Sequence, residues 1–195
     1  MNLTLYLLRT VGLWSNIIIA VYAWQVAPNE TVFWQILTRL SGRVSLLIFI
    51  GIWWHETQVL KAKPIPSFFG KTTIKDWSMS LAINHFLHLL FIAIYVKSSG
   101  IELIPIRLLG GALAYVWIGL MPFVYAYRTT IPKILRMGYL YYVWFVMFMT
   151  YIPRIRGNFP EAGGNMAEYL FFFSVLIVIL LGHFIALFYN TKAKA

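Results

Sequence analysis

The chain has 195 residues, of which 61% are hydrophobic and 11% are charged, and its formal net charge is +10. Soluble domains carry about 25% charged residues, so this composition favours an integral membrane protein with little sequence left for a soluble domain. The absence of cysteine excludes disulfides, thiolate metal sites, cysteine-ligated iron–sulfur clusters and cysteine nucleophiles.

Six apolar runs are each long enough to cross a bilayer, which takes about 20 residues of helix. In chain order they are Leu3–Val26, Thr38–His55, Trp77–Val96, Ile104–Tyr125, Ile134–Ile152 and Ala167–Tyr189. The first run ends without a small-x-small cleavage site, so it predicts a retained helix rather than a signal peptide. Because no repeat or second domain interrupts residues 1–195, the sequence predicts an all-α fold: one integral membrane bundle of six transmembrane helices.

Prolines mark several of the predicted helix boundaries. Pro105 falls in the first turn of the fourth helix, where a missing N–H is tolerated, and Pro132 precedes the fifth helix. Pro153 is expected to end the fifth helix, because proline removes a hydrogen bond and clashes with the preceding turn. Pro122 is expected to kink the fourth helix near its end.

The basic residues indicate the orientation of the bundle. Lysine and arginine collect in cytoplasmic connections of membrane proteins. One side of the predicted bundle holds more of them than the other, in the segments 61–75 and 128–136 and in the C-terminal tail. This bias predicts that both termini are cytoplasmic, and an even number of spans is consistent with termini on the same side. Because these basic residues set the membrane orientation, they account for the positive net charge without nucleic-acid binding. We therefore expect membrane lipid as a partner and no nucleic acid.

Three histidines lie inside apolar runs, where an ionisable group is costly and marks a functional site by default. His85 and His88 are three residues apart and so share one face of the third helix. His85 and His183 are each predicted to lie roughly 9–12 Å from the cytoplasmic boundary. The sequence therefore allows a two-imidazole site between the third and sixth helices, with His88 or His85 facing His183. The alternative is that each imidazole only hydrogen-bonds a neighbouring helix.

Other polar residues in the apolar runs are interpreted as structural. Asn16 and Asn84 are expected to form hydrogen bonds between helices. His55, beside Glu56 at the end of the second run, is expected to lie at the membrane interface.

Four segments, in order, resemble the ferric-reductase-like transmembrane domain family. The segment Ser41-Gly42-Arg43-Val44-Ser45-Leu46 is similar to the family's "T-G-R-x-A-L", and Leu87-His88-Leu89-Leu90 to its "L-H-L-L". The segments 110–126 and 138–144 take the places of the family's fourth and fifth helices. Within the family, the size and layout are most similar to the haem-binding membrane subunits of bacterial periplasmic methionine sulfoxide reductase systems.

The resemblance implies a bacterial inner-membrane protein that holds b-type haem and transfers electrons from a quinol or a flavoprotein. His88 matches the family's ligand on the third helix. The family also carries haem ligands on its fifth helix, where this chain has no histidine. Haem iron would therefore need His88 or His85 together with His183, or a single ligand.

Two alternatives depart from this hypothesis. The first is a non-redox membrane protein without haem, either a small transporter or an assembly partner, and the missing histidines of the fifth helix favour it. The second is a metal-dependent enzyme. Three histidines can bind a metal, but Asp76 and Glu168, the nearest carboxylates, fall at helix ends.

Overall fold

The computed structural model describes residues 3–60, 74–102, 105–128, 130–158 and 163–192. These residues form six helices and no strand, which confirms the predicted all-α fold. The helices are α1 (Leu3–Val26), α2 (Glu30–Leu60), α3 (Ile74–Ser99), α4 (Pro105–Tyr127), α5 (Lys133–Ile155) and α6 (Met166–Lys192).

Four of these helices are long and apolar enough to cross a membrane, in the ranges Glu30–Val59, Ile74–Ser99, Leu109–Tyr127 and Met166–Phe188. The apolar segment Thr10–Val26 of α1 is shorter. Helix α5 carries Lys133, Arg136 and Arg154 within its 23 residues. Of the six predicted spans, four therefore have the length and apolar composition that crossing a membrane requires.

Helix α2 begins eight residues before the predicted start at Thr38. The side-chain Oδ1 of Asn29 accepts a hydrogen bond from the N–H of Val32 at 3.0 Å and so caps the helix. Glu30 places a negative charge in the first turn, which the helix dipole favours.

The expected end of α5 at Pro153 is wrong, because the helix continues to Ile155. Pro153 lacks a backbone N–H, so the helix loses the one hydrogen bond that this group would donate. The N–H of Arg156 still donates to the carbonyl of Ile152 at 3.0 Å. The predictions for Pro105 and Pro132 are confirmed, since α4 begins at Pro105 and Pro132 caps α5.

Successive helices run in opposite directions, and α2 through α6 form a closed ring in which α6 packs back against α2. Helix α1 lies outside this ring, against α2 and α3. Helices α2 and α6 are parallel, because Arg43, Trp53 and Thr57 meet Glu168, Ile179 and His183 in the same order. The end of the bundle where α1, α3 and α5 finish is called the upper end, and the opposite end the lower end.

The middle of the ring is filled by apolar side chains from all five helices. The central residues are at most 1% exposed: Phe49, Ile52, Leu81, Ile118, Met121, Leu140, Val143 and Leu176. The outside of the bundle is also apolar, with Trp24 81%, Phe188 71% and Ile18 68% exposed. Because exposing such a large apolar surface to water is unfavourable, the exterior is suited to contact with lipid.

Candidate functional site

The two histidines of α3 face the start of α2. His85 Nδ1 lies 2.8 Å from Ser45 Oγ, and His88 Nδ1 lies 3.0 Å from Ser41 Oγ. The serines are four residues apart on α2 and the histidines three apart on α3, so each pair occupies one helix face. The two imidazole centroids are 5.5 Å apart. These four residues form the upper centre.

Both imidazoles of the upper centre are held by protein on more than one side. The ring of His85 stacks on Tyr115 of α4, with 4.4 Å between centroids. The ring of His88 lies against Gly42, where an added Cβ would be 3.0 Å from its Cε1 atom. Glycine in the Ser41–Leu46 segment therefore allows the imidazole to approach the α2 backbone.

Asn84 joins the upper centre to α1, as expected for an interhelical hydrogen-bonding group. Its Nδ2 donates to the carbonyl of Ser41 at 2.9 Å and to Ser45 Oγ at 2.6 Å. Its Oδ1 accepts a hydrogen bond from Asn16 Nδ2 at 2.6 Å. The prediction for Asn16 and Asn84 is therefore confirmed.

His183 lies in a different part of the ring. Its Nδ1 is 2.8 Å from Thr57 Oγ1, and its ring centroid lies 5.1 Å from that of Trp53 and 5.7 Å from that of Tyr141. Thr57 is 12 residues beyond Ser45 on α2, which corresponds to about 18 Å along the helix axis. The structure therefore brings His85 and His88 together but does not bring His183 to them.

This donor set does not fit a bis-imidazole haem. Two axial ligands must approach one iron from opposite faces of the macrocycle, whereas His85 and His88 project from the same face of one helix. His183, the expected opposite ligand, is displaced along α2 to the level of Thr57. The described residues also contain no group of three His, Cys, Asp or Glu side chains able to hold a metal.

Arg43, near the upper end, is engaged by a carboxylate of the chain. It forms an ion pair with Glu168 in the first turn of α6, and its Nη1 lies 3.3 Å from Glu168 Oε1. Asn165 Oδ1 accepts the N–H of Glu168 at 2.9 Å, so Glu168 also belongs to the cap of α6. This pair fixes the register between α2 and α6.

A second group of polar side chains lies inside the ring near its lower end. Glu56 of α2 is 2% exposed, and its Oε2 is 3.4 Å from Arg136 Nε of α5. Tyr125 of α4 lies within electrostatic range of both groups. Tyr139 of α5 and Ser78 of α3 face each other beside them. These five residues form the lower centre.

The lower centre is rich in polar atoms that lack a hydrogen-bonding partner among the described residues. They are Glu56 Oε2, Arg136 Nε, Ser78 Oγ, Tyr125 Oη and Tyr139 Oη, although Glu56 and Arg136 form an ion pair at 3.4 Å and Ser78 and Tyr139 interact with each other. Buried polar atoms are nearly always hydrogen-bonded in native proteins. The five atoms come from four helices and concentrate polar groups inside an otherwise apolar ring.

Sequence reasoning missed the lower centre. Glu56 was interpreted only as the neighbour of an interfacial His55, because the apolar run ends there. Helix α2 continues to Leu60, so Glu56 lies one turn inside the ring rather than at its edge. The available signal was a carboxylate within an otherwise apolar helix, together with the spacing of Arg136 and Tyr139 on one face of α5.

Comparisons of the chain with family models, with curated proteins and with solved structures find no match. The resemblance to the ferric-reductase-like family therefore stays a prediction.

Proposed function

We propose that this chain is a non-redox membrane transporter that couples solute movement to proton binding at the lower centre. The observation that carries the proposal is Glu56, a 2% exposed carboxylate paired with Arg136 at 3.4 Å, with the hydroxyl groups of Tyr125 and Tyr139 in the same cluster. Ionisable residues inside membrane helices are expensive, face the bundle interior and mark ion or proton pathways. The four long apolar helices and the apolar exterior support a place in a membrane.

The two centres lie one above the other along α2. Ser45 of the upper centre and Glu56 of the lower centre are 11 residues apart, or about 16 Å along the helix. Between them the ring is closed by Phe49, Ile52 and Leu81, each fully buried. Two polar centres separated by an apolar layer suit a transporter in a closed state, because a polar solute crosses that layer only when the helices move.

Protonation gives the lower centre a means of switching. The ionised carboxylate of Glu56 and the guanidinium of Arg136 neutralise each other in a low-dielectric interior. A proton on Glu56 removes that attraction and leaves Arg136 free to receive an anionic or polar solute. The hydroxyls of Tyr125 and Tyr139 then supply donors and acceptors for the guest.

Proton flux into liposomes tests this proposal. Purified protein is reconstituted with a trapped pH-sensitive dye, and flux is driven by an imposed potential. We expect Glu56→Gln to lower the flux at least tenfold, because the amide fills the same space but does not titrate. Glu102→Gln is the matched control, since Glu102 is exposed beyond the end of α3. Equal rates for wild type, Glu56→Gln and protein-free liposomes would contradict the proposal.

Haem binding remains the competing prediction, based on the family resemblance and on His88 in the matching position. The visible spectrum of dithionite-reduced protein from haem-sufficient cells separates the two. Our proposal expects a colourless preparation. Reduced b-type Soret and alpha bands that disappear in His88→Ala would instead support an electron-transfer protein.

A further inference from the structure

A group of aromatic side chains surrounds a cavity at the upper end, where α1 connects to α2. The cavity has a volume of about 520 Å³ and is lined by Trp24, Ala27, Asn29, Glu30, Phe33 and Trp34. It is remote from the lower centre, which lies at the other end of α2. Three of its six lining residues are aromatic and one is a carboxylate.

The aromatic rings of this cavity are set at steep angles to one another. Phe33 is edge-on to Trp24, with centroids 6.4 Å apart and planes at 88°, and edge-on to Trp34, at 5.0 Å and 79°. Phe91 of α3 supports Trp34 from behind, with centroids 6.2 Å apart. Trp24, Phe33 and Trp34 thus line one cavity with rings in different planes, and together with Glu30 they are called the cage.

Glu30 supplies negative charge at this cage. Its Oε1 accepts the indole N–H of Trp34 at 3.2 Å, which fixes the carboxylate beside the rings. The carboxylate also offsets the positive end of the α2 dipole. Asn29 Oδ1 accepts a hydrogen bond from the N–H of Val32, so this N–H is not free to bind another group. The cage is therefore locally negative in a chain whose net charge is +10.

Among the described residues, the cation–ring contact is that of Arg43 over Phe172 at 5.8 Å, and neither residue lines this cavity. Aromatic faces together with a carboxylate attract cations, and quaternary ammonium groups in particular. We propose that the cage binds an ammonium cation, either the headgroup of a zwitterionic lipid or a soluble amine.

Titration with tetramethylammonium chloride tests the proposal on the full chain purified in a non-ionic detergent. Ligand-observed NMR should show saturable binding, whereas 3,3-dimethylbutan-1-ol, a neutral isostere that carries a tert-butyl group in place of the trimethylammonium group of choline, should bind more weakly. We expect Trp24→Ala to weaken binding about two- to fivefold, as for one exposed cation–π contact, and Glu30→Gln to weaken it by a similar factor.

The matched controls are Trp14→Ala, an exposed tryptophan on the same helix, and Glu102→Gln, an exposed carboxylate outside the cavity. Both should bind as wild type does. Unchanged helical circular dichroism and elution volume show that each variant is folded, and Phe33→Leu provides a second test if Trp24→Ala is unstable. Absence of saturable binding, equal binding of the neutral isostere, or equal affinities in cage and control variants would overturn the proposal.

The source of the cation is distinguished in nanodiscs. If a lipid headgroup occupies the cage, tetramethylammonium should bind several-fold more weakly in phosphatidylcholine than in phosphatidylglycerol. Equal affinity in the two lipids assigns the cage to a soluble amine. Because Glu30 and Trp24 lie outside the lower centre, these results do not depend on the proton-flux measurement.

Discussion

At the scale of single residues, Asn84 has the largest set of interhelical hydrogen bonds described at the upper centre. It is fully buried and joins Ser41, Ser45 and Asn16 from two neighbouring helices. Both polar atoms of its side-chain amide have partners, so Asn84 itself stabilises the packing of α1, α2 and α3 without an unsatisfied atom.

Replacing Asn84 by Leu should therefore destabilise the bundle. Hydrogen bonds between membrane helices contribute roughly 0.6 kcal/mol each, and three are lost, so we expect about 2 kcal/mol. Unfolding in an SDS titration, followed by circular dichroism, measures the change. Asn158→Leu, at an exposed position, serves as the control and should be close to wild type. Equal stability of the two variants would show that the network around Asn84 is not stabilising.

The two histidines of the upper centre are predicted from the sequence, whereas its serines and the residues of the lower centre are not. The spacing of His85 and His88 places them on one face whatever the rest of the fold. The sequence predicts that His183 approaches these histidines, because His183 and His85 lie at similar distances from the ends of their apolar runs. The ends of apolar runs do not determine how neighbouring helices are aligned along their axes. That register depends on side-chain pairs such as Arg43 with Glu168 and Trp53 with Ile179.

At the scale of helices, α1 depends on a close approach at Gly12. The backbone N–H of Gly12 donates to Ser80 Oγ at 3.1 Å. A Cβ at this position would lie 2.5 Å from the carbonyl oxygen of Ser80 and 2.9 Å from Asn84 Cβ. Because the first of these atoms belongs to the α3 backbone, it has little freedom to move.

We predict that Gly12→Ala separates α1 from α3 and destabilises the protein. Overpacking typically costs about 1–3 kcal/mol, which exceeds the gain of about 1 kcal/mol in helix propensity. Gly182→Ala is the matched control, since nothing lies within 4 Å of an added Cβ there. The same SDS titration should show loss of stability for the first variant and none for the second. A more stable Gly12→Ala protein would contradict the close packing of α1.

The boundaries of α2 show where sequence reasoning fails at this scale. The predicted span starts at Thr38 and has Arg39 and Arg43 in its first turns. In the structure Arg43 is paired with Glu168, and the cap at Asn29 starts the helix earlier. Hydropathy alone does not reveal such a partner 125 residues away in the sequence.

At the scale of the whole molecule, the number of helices and their alternating directions follow from the apolar runs and the short connections. The closed ring does not follow from them, because the contact between α2 and α6 joins distant parts of the sequence. The position of α1 outside the ring likewise depends on the polar contacts of Gly12 and Asn16 with α3.

The proposed topology is tested by single cysteines, which the cysteine-free chain allows without further changes. Ser98 and Asn158 are exposed at the upper end, and Thr130 is exposed at the lower end. If the lower end is cytoplasmic, as the basic residues predict, a membrane-impermeant maleimide should label Ser98→Cys and Asn158→Cys in intact spheroplasts. Thr130→Cys should be labelled only after permeabilisation. Labelling of Thr130→Cys together with Ser98→Cys in intact spheroplasts would contradict this orientation.

The most direct test of the account is an electron cryo-microscopy map of the protein in a lipid nanodisc, bound to an antibody fragment. We predict density for water or a small solute between Glu56, Tyr125 and Tyr139. We also predict protein side chains alone between the imidazoles of α3 and α2. A flat macrocycle against His88, or a dry lower centre in which these hydroxyls bond one another, would contradict the account.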